Sequence, residues 1–202
     1  MSSVKLTADS SGGTVELKAP ATTTSNGAKT LTISPDGLIG VTMANQWRVT
    51  SNWDLTTGNG DTTISSNWET VDSNSPGTLG SNLTESSGVF TFPSTGIYLI
   101  DAKITCFSQW PDAASTDIWG IFCRLKTTPD NSTYTTAAIG FTSISSPASQ
   151  YSELDVSYIF DVTNTSTHKF KLSLETEGST TTFQGHTDRN RTSFYVLKIG
   201  DT

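Results

Sequence analysis

Almost a third of this chain is hydroxyl: 28 Ser and 36 Thr fill 64 of its 202 positions. That content restricts the fold before any motif is sought. Thr is β-branched, and both side chains compete for the backbone hydrogen bonds of a helix, so helix interiors tolerate them poorly in quantity. On the solvent face of a pleated strand Thr is at home. Intrinsic disorder is a poor match, because nineteen aromatics (five Trp, five Tyr, nine Phe) are present and several segments alternate apolar and polar residues. The chain therefore reads as an all-β protein. No apolar run approaches the ~20 residues of a membrane-spanning helix. The start, Met1-Ser2-Ser3-Val4-Lys5, carries no apolar stretch of signal-peptide length.

Charge narrows the partners. Lys and Arg total 12 against 19 Asp and Glu, a net charge of −7. The cations form no stripe, so no nucleic acid is expected as a partner. Cys106 and Cys123 are too few for a disulfide framework. Both fall on the apolar face of a strand segment, which favours buried free thiols and leaves a bridge between adjacent strands as the alternative.

The aromatics divide the chain. All of them lie between Trp47 and Tyr195, and residues 1–44 balance Lys5, Lys18 and Lys29 against Asp9, Glu16 and Asp36. Two regions follow, an arm over residues 1–44 and a head over residues 45–202. The arm's aliphatic residues are too sparse to offset the entropy of ordering it alone. Yet Val4–Thr7, Thr14–Lys18 and Thr30–Ile33 alternate strictly, with turn signals at Ser11-Gly12-Gly13, Ser25-Asn26-Gly27 and Pro35-Asp36-Gly37. The arm reads as short strands that fold on a partner's surface. Val4, Leu6, Val15, Leu17, Leu31 and Ile33 would be its docking residues, by strand addition to a foreign sheet edge.

The head holds longer strand segments: Gln46–Thr50, Asn67–Val71, Gly88–Phe92, Gly96–Phe107, Asp117–Thr127, Tyr134–Phe141, Gln150–Val162, Thr167–Thr176 and Arg191–Ile199. Their spacing suits a sandwich or jelly roll. Alternation assigns Tyr98, Ile100, Ala102, Ile104 and Cys106 to one face, and Leu154, Val156, Tyr158, Phe160 and Val162 to another. The last strand sets Phe194 and Val196 against Tyr195, Leu197 and Ile199. A strand apolar on both faces points to a subunit interface.

No catalytic or metal-binding motif is legible. His168 and His186 are the only histidines, and there is no G-x-S-x-G elbow, Cys/His metal spacing or P-loop. No enzyme, cofactor or metal is expected. Asp112, Asp117 and Asp130 lie near loops, where solvated carboxylates are the expected state and an oxygen-liganded Ca²⁺ is the alternative. A recognition surface is the remaining candidate. Trp110 stands in the polar loop Gln109-Trp110-Pro111-Asp112, Trp53 in Ser51-Asn52-Trp53-Asp54, and His186 in the loop Gln184–Asn190. Either Trp could stack on a sugar ring or tuck against the sandwich edge.

The run Gly88-Val89-Phe90-Thr91-Phe92-Pro93-Ser94-Thr95-Gly96-Ile97-Tyr98-Leu99-Ile100 resembles the strand–turn–strand signature of C1q/TNF-like domains. The closing Ser193-Phe194-Tyr195-Val196-Leu197-Lys198-Ile199 resembles that family's final strand, and the likeness spans roughly residues 45–202. It implies an antiparallel jelly-roll sandwich, here preceded by an N-terminal arm of short strands. It also implies a homotrimer, with Tyr98, Phe122, Tyr158, Phe194 and Tyr195 as core or trimer aromatics. The chain lacks the collagen-like Gly-X-Y segment of secreted C1q proteins. The arm, through Lys5-Leu6-Thr7, Ser11–Pro20 and Lys29–Pro35, resembles the N-terminal segments of phage tail-fibre and other virion proteins, marine and cyanobacterial phages in particular.

Together the resemblances imply a structural virion protein of a tailed bacteriophage, assembled in the host cytoplasm. It would be a trimeric fibre or appendage, attached to capsid, tail or fibre components through residues 1–44, with the head free to touch a host surface glycan or protein. A capsid decoration or cement protein, and a free C1q-like lectin or ligand-binding protein, are the alternatives.

Overall fold

The computed structural model describes residues 16–17, 31–32, 41–56, 60–74, 77–108, 118–145, 150–177 and 181–202. The chain divides into two compact units, Met1–Gly40 and Val41–Thr202. In the first, β1 (Glu16–Leu17) and β2 (Leu31–Thr32) pair antiparallel, with Leu17 opposite Leu31. These two strands fall inside two of the three alternating arm segments. The third, Val4–Thr7, lies outside the described residues, as do Val15 and Ile33.

The second unit has thirteen strands and, among its described residues, no helix. In chain order they are β3 (Met43–Val49), β4 (Trp53–Leu55), β5 (Thr62–Thr63), β6 (Trp68–Thr70), β7 (Thr84–Ser86), β8 (Val89–Thr91), β9 (Gly96–Ser108), β10 (Ile118–Thr128), β11 (Thr135–Ser145), β12 (Gln150–Val162), β13 (Lys169–Thr176), β14 (Thr181–Phe183) and β15 (Ser193–Gly200). Every pairing is antiparallel, and the strands form a two-sheet jelly-roll sandwich.

The front sheet is organised by β9. Strand β12 lines one edge of it along its full length, from Val162 opposite Gly96 to Gln150 opposite Ser108. The other edge of β9 is shared. β15 pairs with its first half, and β14 with its last three residues. β3 lies beyond β15 and β6 beyond β3, while β4 lies beyond β14. The back sheet runs β11-β10-β13-β8-β7, with β5 on the β8 side of β13.

The nine long segments that alternate in sequence all contain strands, and Gln150–Val162 matches β12 end to end. β3 begins at Met43, ahead of the boundary that the aromatic distribution marks. Four strands escape the periodicity: β4, β5, β7 and β14, of two or three residues each. A strand so short shows no period of its own, and its partner supplies the order.

The inner faces are those the alternation assigns. Tyr98, Ile100, Ala102, Ile104 and Cys106 on β9 are fully buried, as are Ile121, Cys123 and Leu125 on β10 and Phe170, Leu172 and Leu174 on β13. An aromatic cluster locks the sheets together at one end. Phe90 and Phe170 of the back sheet stack at 5.1 Å, and Phe194 of the front sheet stands edge-on to Phe90 at 4.7 Å. Trp47 and Trp68 close the same group. Both cysteines are buried and free, on opposite sheets.

Two tight turns fix the register around Phe90. Ser87 and Gly88 both have positive φ, 52° and 79°, and form a two-residue hairpin loop between β7 and β8. A Cβ on Gly88 would meet the Ile64 carbonyl oxygen at 2.2 Å, so glycine is required there. At the next turn Tyr98 Oη donates to the Ser94 carbonyl at 2.9 Å, tying Pro93–Gly96 to the start of β9.

Candidate functional site

The inward positions build the core. What distinguishes this head is on the outside. Eight large hydrophobic side chains are exposed among the described residues: Val41, Leu79, Ile139, Phe141, Tyr151, Ile159, Tyr195 and Ile199. They are not scattered. Four lie on β11 and β12, the two strands that edge their respective sheets, and the other four lie on β15 or beside β3.

Register explains the front-sheet part. Ile159 faces Leu99, Leu99 faces Leu197, Leu197 faces Ala44, and Ala44 bridges to Leu79. One pairing row is thus apolar across four neighbouring strands. The next row is Ser157, Asp101, Tyr195 and Gln46. Burial, and then the neighbouring Asp101 charge, hold the Tyr195 phenol above its usual pKa. The row after that is polar: Asp155, Lys103, Ser193 and Arg48. Lys103 makes a 2.8 Å ion pair with Glu153, which its exposure to water keeps weak. At the far end Phe107 and Tyr151 pack ring on ring at 4.8 Å.

The edge is formed where the sheets meet. Thr142 of β11 and Ser152 of β12 share a hydroxyl–hydroxyl hydrogen bond of 2.6 Å. Ile139 and Phe141 project from the β11 side, 54% and 76% exposed, and Ile159 and Tyr151 from the β12 side, 58% and 68% exposed. Along β12 the outward Glu153, Asp155 and Ser157 separate Tyr151 from Ile159, so the adjacent pair Ile139 and Phe141 is the local apolar spot of this edge. The chemistry it offers is burial. Among the described residues no group of three His, Cys, Asp or Glu side chains gathers where a metal could be held.

The structure separates the residues singled out in sequence. Tyr98 and Phe194 belong to the intrachain core. Phe122 and Tyr158 are half-buried, Phe122 beneath the Arg124 guanidinium at 5.6 Å. Tyr195 alone of the five is exposed, on the apolar front face. Trp53 is half-buried, its ring 5.9 Å from Phe183. His186 is half-buried in its loop, where its Nδ1 accepts the Asp188 N–H. Trp110, Asp112 and Asp117 lie outside the described residues. The Asp130 carboxylate accepts from Thr128 Oγ1 and from the N–H groups of Ser132 and Thr133, which holds it well below the usual carboxylate range.

Sequence reasoning found Tyr195, Leu197 and Ile199 but passed over Ile139, Phe141, Tyr151 and Ile159. A signal was there. In Tyr134–Phe141 and Gln150–Val162 the outward positions include large apolar residues where Ser, Thr or Asp would be ordinary.

No family model matches the chain, and no curated protein matches it. Among solved structures, Eiger TNF from S. frugiperda aligns with a TM-score of 0.54 at 14% identity, covering 81% of this chain and 96% of that one. Murine APRIL aligns with a TM-score of 0.48 at 12% identity, covering 77% and 98%. The likeness to Eiger TNF bears on the fold, a C1q/TNF-like jelly roll, and on nothing finer.

Proposed function

We propose that this chain is a non-enzymatic structural protein: a homotrimeric jelly-roll head, carried on the virion of a tailed phage by its N-terminal arm and presented towards the host surface. The observation that carries the self-association is the pair of distinct apolar surfaces. One is the β11/β12 edge with Phe141 and Ile139, and the other is the front face with Tyr195, Leu197 and Leu99. Two different surfaces on one chain support head-to-tail contacts, which close into a ring when the rotation permits. The number three comes from the resemblance to C1q/TNF-like heads.

The virion reading is supported by the arm. Its alternating segments resemble those of virion proteins, and one of them, Thr30–Ile33, carries no charge to deter pairing with a foreign edge. Leu17 and Leu31 already face one another in the β1–β2 pair. Three arms engaging one particle would add avidity without new contacts.

Sedimentation equilibrium on the full-length protein tests the oligomer: a trimer is expected, and a monomer at micromolar concentration refutes it. The double variant Phe141→Glu, Tyr195→Glu should sediment as a folded monomer. Removal of residues 1–40, which keeps β3 whole, should leave a trimeric head that no longer joins particles. Antibody labelling of particles then separates tail from capsid. Label on the capsid lattice favours decoration, and label on neither favours the free lectin.

A further inference from the structure

A cavity of about 210 Å³ opens at one end of the sandwich, where the front and back sheets part. Its front-sheet wall is Val49 and Trp53, and its other walls come from the segment that leads out of β5, including Thr63, Ser65, Ser66 and Asn67. Two features make this more than a gap between sheets. The polar wall is held in place. Ile64 N–H donates to the Leu172 carbonyl at 3.0 Å and its own carbonyl accepts Trp68 Nε1 at 2.8 Å, while Asn67, at φ 63°, presents its carbonyl to the Thr50 N–H at 2.8 Å. The lining is also chemically uniform. It holds one indole, two aliphatic side chains and a set of neutral hydroxyl and amide groups, with no ionisable residue among the described ones. The nearest carboxylates in sequence are engaged elsewhere, Asp54 by Thr182 Oγ1 at 2.6 Å and Asp61 by Lys126 and Arg124.

We propose that this cavity binds a single neutral pyranose unit, with the apolar face of the sugar on the Trp53 indole and its hydroxyls exchanging hydrogen bonds with Thr63, Ser65, Ser66 and Asn67. Size and charge select this class. Drug-sized ligands occupy clefts of ~300–1,000 Å³, so this cavity admits one ring rather than a chain. An uncharged lining gives no partner to a carboxylate, phosphate or ammonium group and would leave it unpaired as it desolvates. An aromatic wall facing neutral hydroxyls matches a sugar, which is apolar on one face and polar around its rim. None of the lining residues belongs to the exposed apolar set, so the inference needs neither the trimer nor the virion.

The test is saturation-transfer-difference NMR on the full-length protein with methyl glucoside, methyl galactoside, methyl mannoside and N-acetylglucosamine, beside glucuronic acid and N-acetylneuraminic acid as charged controls. At least one neutral pyranose should take up saturation, strongest on the protons of one ring face, while the charged sugars take up none. Trp53→Leu keeps an apolar contact with Phe183 and should weaken binding at least about tenfold, a convenient threshold for a lost anchor. Ser66 is exposed, so Ser66→Phe should fold normally and abolish binding by filling the mouth. Absence of saturation from every neutral sugar, a preference for the charged ones, or binding that survives Ser66→Phe would each overturn the proposal.

Discussion

Gly140 on β11 lies against the main chain of Asp155 on β12, so close that a Cβ at position 140 would stand 2.2 Å from the Asp155 carbonyl oxygen. The two strands belong to different sheets, and this approach is where the sandwich closes along the edge that carries Phe141 and Ile159. Backbone cannot move aside as a flexible side-chain tip can. The edge therefore depends on a residue with no side chain.

Gly140→Ala should destabilise the head by about 1–3 kcal/mol, the usual cost of forcing atoms into a filled space. It should also weaken self-association, because it splays the edge. Gly200→Ala is the control. Its Cβ would meet only Ile97, at an ordinary 3.9 Å, and its effect should stay within about 0.5 kcal/mol. Urea unfolding of the two variants checks this; equal midpoints would contradict the close-approach argument.

Arg48 is on the outer face of β3 yet only 1% exposed, with Nε 2.7 Å from Glu69 and Nη2 2.7 Å from Asp72. Its carboxylate partners are unequal: Glu69 is 29% exposed and Asp72 76%. Removing the buried cation with Arg48→Met should cost about 2–3 kcal/mol, below the full buried-pair penalty because both carboxylates can still reach water. Asp72→Asn should cost less than about 1 kcal/mol, since its half of the pair is in solvent. If the two substitutions shift the denaturation midpoint equally, the burial of Arg48 is not what makes the pair count.

Asp61 joins two cations on the outer face of the back sheet, 3.8 Å from Arg124 Nη1 and hydrogen-bonded to Lys126 Nζ. Burial pushes its pKa up, but the Lys126 hydrogen bond and the two positive charges outweigh it, leaving it below its ordinary 3.8. A carboxyl more acidic folded than unfolded adds stability above the unfolded value. That stability is lost as pH falls through the folded value. Stability should decline below about pH 4, and Asp61→Asn should make the decline shallower. A parallel acid profile in the variant would rule this contribution out.

Cys106 and Cys123 are buried on opposite sheets, and burial raises both thiols, Cys106 to about 12. Thiolate is the nucleophile, so neither should react with iodoacetamide near pH 8 in the native protein, and both should react in denaturant. Mass spectrometry reads the count directly; a native label on either thiol contradicts its burial. Because folding keeps the thiols neutral, their contribution to stability is full below the ordinary 9.0 and is lost as pH rises towards 12.

How much of this was legible in the sequence differs between the two faces of each strand. Phe90, Phe92, Tyr98 and Ile100 could be placed inward from the linear chain, because a strand's alternation is a local property with a period of two. The exposed edge was harder. Whether Ile159 is covered or free depends on what lies beside β12, and Leu99, its partner, is sixty positions away in the chain. Trp53 shows the same limit. In sequence it stands in a polar loop, but β14, more than a hundred residues later, pairs with β4 and sets Phe183 opposite it.

The sequence by itself determined the class: an abundance of Thr and Ser disfavours helices, and alternation sets the long strands and their inward residues. Tertiary structure alone decided the rest. It put Cys106 and Cys123 on opposite sheets as free thiols, buried Arg48 on an outward face, and assigned Phe194 to the core and Tyr195 to the surface. The reason is physical. Alternation tells each residue which side of its strand it is on, while burial depends on which other strand arrives there, and those partners are tens to more than a hundred residues apart.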